Sequence, residues 1–123
     1  MPQILVTGGL GYIGSHTVVE LIEAGYEPII VDNLSESPLE VKTRIEKIVG
    51  RKVTFRQVEL CNRGEVDAVF QEFPNISGVI HFAAFLLVNE SVELPLKYYH
   101  NNLLSTINLL QSMEAYGVKN IVF

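Results

Sequence analysis

The sequence predicts a doubly wound α/β fold, and three observations lead there. Short apolar runs alternate with stretches of helical periodicity along the whole chain. Most of those runs are continuous rather than alternating, as in parallel strands covered by helices on both faces. A glycine-rich turn separates the first run from the first helical stretch. With right-handed crossovers, the simplest packing is a sheet of about five parallel strands in the order 3-2-1-4-5.

The elements follow in order. Residues 4–7 are an apolar, partly β-branched run closed by Gly8 and Gly9, a strand stopped by a turn. Over 12–24, Ile13, Val18, Leu21 and Ile22 recur at helical spacing, and Gly25 supplies the stop. Residues 28–32 form a second strand, with Pro28 tolerated at its start. Pro38 opens a helix carrying Leu39, Val41, Ile45, Ile48 and Val49 on one side, and Gly50 ends it. Residues 52–56 alternate and read as a third, less buried strand. Residues 63–73 make a short helix with Val66, Val69 and Phe70 inward, stopped by Pro74. Residues 77–82 are a fourth strand. A long helix runs from about Pro95 to Tyr116, with Tyr99, Leu103, Ile107, Leu110 and Met113 along one face. Residues 120–123 begin a fifth strand, at which the sheet is expected to be cut short.

Composition narrows the class. The 123 residues suit one domain, and no repeat or linker divides residues 1–123. Hydrophobic residues at 48% and charged residues at 19% exclude disorder. A net charge of −5 with no basic patch makes nucleic acid a poor partner. No apolar run approaches a membrane span, and the first residues do not read as a signal peptide. The single cysteine, Cys61, cannot form an internal disulfide, which fits a reducing cytoplasm. Mean hydropathy of +0.26 is high for a small soluble domain, so a self-associating or homo-oligomeric chain is expected.

The strongest chemical signal is Thr7-Gly8-Gly9-Leu10-Gly11-Tyr12-Ile13-Gly14, between the first strand and the first helix. Gly8 and Gly11 let the chain turn tightly and bring backbone N–H groups against a pyrophosphate. Gly14 lets the helix pack close to the strand, and the helix N-terminus offers partial positive charge. Glycines also serve turns for purely conformational reasons, so two further features matter. Asp32 ends the second strand, where a carboxylate can accept from both hydroxyls of an adenine ribose. A 2′-phosphate there would set charge against charge, which favours NAD over NADP. The competing reading of Asp32 is a turn cap. His81-Phe82-Ala83-Ala84 ends the fourth strand, and its small residues admit a flat ring or a phosphate near the switch point. His81 itself reads as a packed structural residue rather than a base. His16 and His100 have no metal-ligand partner at suitable spacing, and Cys61 reads as a small apolar filler.

These residues, with Asp32-Asn33-Leu34-Ser35, Glu90-Ser91-Val92 and residues 95–102, resemble the UDP-glucose 4-epimerases of the extended short-chain dehydrogenase/reductase family. The resemblance covers the whole chain but only the N-terminal third or so of such an enzyme. It implies a Rossmann-like NAD-binding domain in which Tyr12 and Ile13 meet the pyrophosphate through their backbone. It also implies that Asp32, Asn33, Leu34, Ser35, Glu36 and Ser37 surround the adenine ribose, with Glu59 and Leu60 beside the adenine. Phe82, Ala83, Ala84, Phe85 and Leu86 would line the pyrophosphate and nicotinamide side, with Asn101 reaching in from the long helix.

Four positions depart from the family pattern. Glu59 stands where an aspartate is usual, after Val58 where glycine is usual. Glu36 replaces a frequent asparagine, and Leu86 replaces a common lysine. Those departures imply weaker cofactor binding. The family's chemistry also needs a Tyr-x-x-x-Lys pair, and none occurs here: Tyr12 is followed four places on by His16, Tyr98 by Asn102 and Tyr99 by Leu103. The resemblance therefore implies no catalytic residue in this chain, and a UDP-sugar substrate only if a C-terminal part is supplied. Two other readings stay open: a free-standing nucleotide-binding module that needs a partner, and the first part of a related sugar-nucleotide dehydratase.

Overall fold

The computed structural model describes residues 1–85 and 87–123. Ten elements follow one another: β1 (Gln3–Thr7), α1 (Tyr12–Glu23), β2 (Glu27–Asp32), α2 (Glu40–Val49), β3 (Thr54–Gln57), α3 (Arg63–Glu72), β4 (Ile76–His81), α4 (Val88–Glu93), α5 (Pro95–Ala115) and β5 (Ile121–Val122). The five strands form one parallel sheet in the order β3-β2-β1-β4-β5. This is the predicted order, and it makes the fold Rossmann-like. Thr7 pairs with Val31 on one side and His81 on the other, so β1, β2 and β4 reach the same level at their carboxyl ends. That level is where a doubly wound sheet opens its crevice.

The continuous apolar runs are explained by two cores, one on each face. Leu5, Ile29 and Val31 point to one side, where Val66, Val69 and Phe70 of α3 and Leu109 and Met113 of α5 cover them. Val6 and Ile30 point to the other, against Leu10, Val18 and Ile45 of the α1–α2 layer. Adjacent residues on a strand face opposite ways, so a strand covered twice must be apolar at every position. Each such side chain contributes roughly 1.5–3 kcal/mol when fully buried.

The structure corrects several details. β3 begins two residues later than the alternation indicated, at Thr54. The six-residue helix α4 was not expected. Ile13 is exposed at the start of α1, and on α2 only Ile45 is fully buried while Leu39 and Ile48 face solvent.

The largest difference is on α5. Tyr99, Leu103, Ile107 and Leu110 share a face, but that face is exposed, at 64%, 57%, 50% and 42%. The buried face carries Tyr98, Ser105, Asn108, Leu109, Ser112 and Met113. Its polar members are satisfied, as buried polar groups must be. Asn108 Nδ2 donates to the Leu60 carbonyl at 2.8 Å, and the Ser112 hydroxyl donates to Asp67 Oδ1 at 2.6 Å. Short side chains there let α5 sit close against α3.

Candidate functional site

Three connections meet at the carboxyl ends of β1, β2 and β4, and a cleft opens between them. The first is the glycine-rich turn. Gly8 has φ of +67°, and a Cβ there would stand 2.8 Å from the Ala83 nitrogen, so both conformation and space require glycine. A Cβ on Gly14 would run into the Gly8 carbonyl oxygen, which shows how tightly α1 starts against the turn. Gly8 N–H donates to the Val31 carbonyl at 2.9 Å and Gly11 N–H to the Gly8 carbonyl at 3.0 Å. The first helical bond is Ser15 N–H to Gly11 O, at 2.8 Å, and the Gly11 cap supplies no side chain. The N–H groups of Tyr12, Ile13 and Gly14 therefore precede the helix ladder and carry the positive end of its dipole.

The second connection follows β2. Asp32 Oδ1 accepts from Leu34 N–H at 2.9 Å, and its Oδ2 accepts from Leu10 N–H at 3.3 Å. The carboxylate thus caps its own turn and ties that turn to the glycine-rich one. Each oxygen retains acceptor capacity, because a carboxylate oxygen carries two lone pairs. Leu34 lies at φ of +64°, a conformation costing a branched L-residue roughly 1–2 kcal/mol, held by the Asp32 bond and by Ser35 N–H to Asn33 Oδ1 at 3.0 Å. Its side chain packs into the Val6–Ile45 core rather than the cleft. Asn33 Nδ2 reaches Glu59 Oε2 at 3.0 Å, while Glu59 Oε1 accepts from Cys61 N–H at 3.0 Å. Burial acts to raise the Glu59 carboxyl, but these two hydrogen bonds outweigh it and hold the group below the usual carboxylate range. Burial, and then the Glu59 charge, push the Cys61 thiol up, so it is no activated nucleophile.

The third connection follows β4 and is held from below. Thr7 Oγ1 accepts from Phe82 N–H at 3.1 Å and Ala83 N–H at 3.2 Å, so it donates its own proton to His81 Nδ1, 2.5 Å away. That assigns the proton of neutral His81 to Nε2, which donates to Thr106 Oγ1 at 3.1 Å; Thr106 in turn donates to the Asn102 carbonyl at 2.8 Å. Burial lowers the His81 pKa, in keeping with that neutral form. Both ring nitrogens are engaged, so His81 is structural, as its sequence context indicated. Asn102 clamps the loop from α5: its Oδ1 accepts from Phe85 N–H at 2.8 Å and its Nδ2 donates to the Phe85 carbonyl at 3.3 Å.

Of the sequence-derived candidates, Gly8, Gly11, Asp32, Asn33, Ser35, Glu36, Ser37, Glu59, Leu60, Phe82, Ala83, Ala84, Phe85 and Asn101 line this one cleft. Tyr12 and Ile13 are exposed and do not line it, Tyr12 bordering instead a second groove with His16 and Val41; Gly14 packs behind the turn, and Leu86 lies outside the described residues. Sequence reasoning missed Val31, Val58 and Ser105 in the walls, and Thr7 and Asn102 as supports. Asn102 was within reach, since it adjoins Asn101 one helical turn before Thr106. Among the described residues no group of His, Cys, Asp and Glu could hold a metal ion.

The profile of the GDP-mannose 4,6 dehydratase family matches residues 5–123, nearly the whole chain. The chain belongs to that family. Within the GDP-mannose 4,6 dehydratase family, it is 54% identical over 121 residues to UDP-glucose 4-epimerase of Dictyostelium discoideum, covering 98% of this chain and 35% of that protein. It is 56% identical over 120 residues to UDP-glucose 4-epimerase of Bacillus subtilis, with the same coverage of 98% and 35%. The chain thus spans about a third of the length of these relatives.

The solved UDP-glucose 4-epimerase of Stenotrophomonas maltophila, with bound NAD and formylated UDP-arabinopyranose, superposes with a TM-score of 0.95 at 42% identity. It covers 100% of this chain and 36% of that one. The Bifidobacterium longum UDP-glucose 4-epimerase, in complex with NAD+ and UDP, gives 0.95 at 43% identity, covering 98% and 36%. For this member of the family, the expected strand order and the expected likeness to the epimerases are both borne out.

Proposed function

We propose that residues 1–123 form the NAD-binding part of a UDP-glucose 4-epimerase, which interconverts UDP-glucose and UDP-galactose. One observation carries the proposal: the glycine-rich turn, the Asp32 turn and the Phe82–Ala84 segment converge on one cleft, with Gly8 so close to Ala83 that a Cβ on it would not fit. Identity of 54–56% to epimerases favours this reading over the dehydratase and the free-standing module.

The residues present fit a dinucleotide. The cradle at Gly8 is one that a Cβ would fill, and the α1 first-turn N–H groups open beside it. Backbone N–H groups of Tyr12 and Ile13 would hold the pyrophosphate. Asp32, already fixed at both oxygens, would accept from the adenine ribose hydroxyls, and Val58 with Leu60 would cover the adenine. Phe82, Ala83, Ala84 and Phe85 would border the nicotinamide side, with the Asn102 clamp fixing their backbone. A nicotinamide bound there supplies reversible hydride transfer at C4 of the sugar. These 123 residues contain no Tyr-x-x-x-Lys spacing, so none of them is assigned the movement of the sugar hydroxyl proton.

The exposed stripe Tyr99, Leu103, Ile107 and Leu110 on α5 is an association face in this reading, covered by a second copy or by further chain. No helix among the described residues is long and apolar enough to cross a membrane. A single thiol without a disulfide partner supports a cytoplasmic setting.

Replacing the first third of the Bacillus subtilis epimerase with residues 1–123 tests the activity. The chimera is expected to convert UDP-galactose to UDP-glucose, while the 123-residue chain alone shows no turnover. A folded, NAD-loaded chimera without epimerase activity would contradict the proposal.

A further inference from the structure

Glu36 lies four residues beyond Asp32 in the β2–α2 connection and lines the same cleft, with its side chain exposed at the mouth. Its surroundings are predominantly negative. Partial burial and then the charges of Glu90 and Asp32 raise its pKa, and Lys97 alone opposes them. That lysine is already engaged: its ammonium lies 2.6 Å from Glu90 Oε1 and 4.9 Å from the centre of the Phe85 ring. The cleft wall holds three carboxylates, Asp32, Glu36 and Glu59, and no lysine or arginine among the described residues lines it. Asp32 is fixed by the Leu10 and Leu34 N–H groups, whereas Glu36 stands farther out, where salt reaches it.

We propose that Glu36 is a second determinant of dinucleotide choice, so that Asp32 and Glu36 together reject a 2′-phosphorylated adenine ribose from this cleft. The inference rests on reading the cleft as a dinucleotide site. Asp32 can exchange hydrogen bonds with ribose hydroxyls, so it contributes to recognition as well as to rejection. Glu36, at the rim, acts chiefly through its charge. A unit charge facing a phosphate dianion at contact distance in water changes affinity by about tenfold. Because Glu36 is exposed, its share is screened as ionic strength rises, while that of the half-buried Asp32 persists further.

Calorimetric titration of the 123-residue chain with NAD and with NADP, at low and high salt, tests this on wild type, Asp32→Asn, Glu36→Gln and the double variant. The readout is the ratio of the two dissociation constants. At low salt Glu36→Gln should lower the preference for NAD about tenfold, and high salt should shrink that difference. Asp32→Asn alone should still prefer NAD, and the double variant should come close to no preference. Thermal unfolding confirms that each variant is folded. Wild-type binding of NAD with an unchanged ratio in folded Glu36→Gln overturns the role of Glu36 and leaves the dinucleotide reading standing. Binding of neither dinucleotide by wild type overturns that reading, and the role of Glu36 falls with it.

Discussion

The cleft at the carboxyl ends of β1, β2 and β4 and the outer face of α5 are built on opposite terms. In the cleft, the supporting polar groups are paired within the chain: Asp32 with Leu10 and Leu34, Glu59 with Cys61 and Asn33, Thr7 with His81, Phe82 and Ala83. On the outer face of α5, four large apolar side chains, Tyr99, Leu103, Ile107 and Leu110, are left exposed to solvent over about half of their surface. The polar groups beneath the cleft find their partners inside residues 1–123, while the α5 face leaves apolar surface uncovered among the described residues. The loops around the cleft are therefore positioned by contacts inside residues 1–123, and the proposed association would use surface that those contacts leave free.

The comparison can be broken most severely at Gly14. Gly14→Val places side-chain atoms against the Gly8 carbonyl, so the turn and α1 cannot keep their contact. We expect a loss of roughly 1–3 kcal/mol or more in stability, as overpacking costs, and no measurable NAD binding. Thermal unfolding and titration on the same preparation check both.

The α5 face is tested next. Ile107→Glu puts a charge in the middle of the exposed stripe, and charge in the centre of an interface costs on the order of 2–4 kcal/mol of association. Sedimentation over a dilution series should show wild type associating and the variant monomeric. A wild type that remains monomeric at every concentration would remove the association face.

A smaller effect is expected at the clamp. Asn102→Ala removes both bonds to Phe85 and leaves a half-buried loop to find water instead, a loss of about 1–3 kcal/mol. NAD affinity should fall with it, and hydrogen exchange at Phe85 should quicken.

The smallest effect is a dependence on pH. His81 is buried and neutral, with its folded pKa below the ordinary 6.5. The unfolded chain therefore binds the proton first as pH falls, so this contribution is fully present above about 6.5 and is lost below it. Chemical denaturation at a series of pH values should show stability declining through that window, less steeply in His81→Asn.

How much of this was legible in the sequence follows the physics of each part. Strand order and the glycine-rich turn were legible, because doubly covered strands must be apolar throughout and Gly8 admits no side chain. The convergence of Asp32 with Ala83 and Ala84 was legible from their place at strand ends. The working face of α5 was not. Periodicity finds the stripe with most carbon, but this helix buries Ser105, Asn108 and Ser112, and the partners of Asn108 and Ser112, at Leu60 and Asp67, lie more than forty residues away. For the same reason, the chain of hydrogen bonds from Thr7 through His81 to Thr106 left no local signature. α4 is too short, at six residues, and too polar to show a helical period.

The central claim is that the cleft proposed to hold NAD needs only these residues and works independently of the α5 face. Titrating NAD into wild type and Ile107→Glu across a range of protein concentrations tests it most directly. The account predicts saturable binding at one NAD per chain, with the same affinity in both proteins and at every dilution. Binding that vanishes on dilution, or that the monomeric variant lacks, would contradict it by showing that the site is made only between chains.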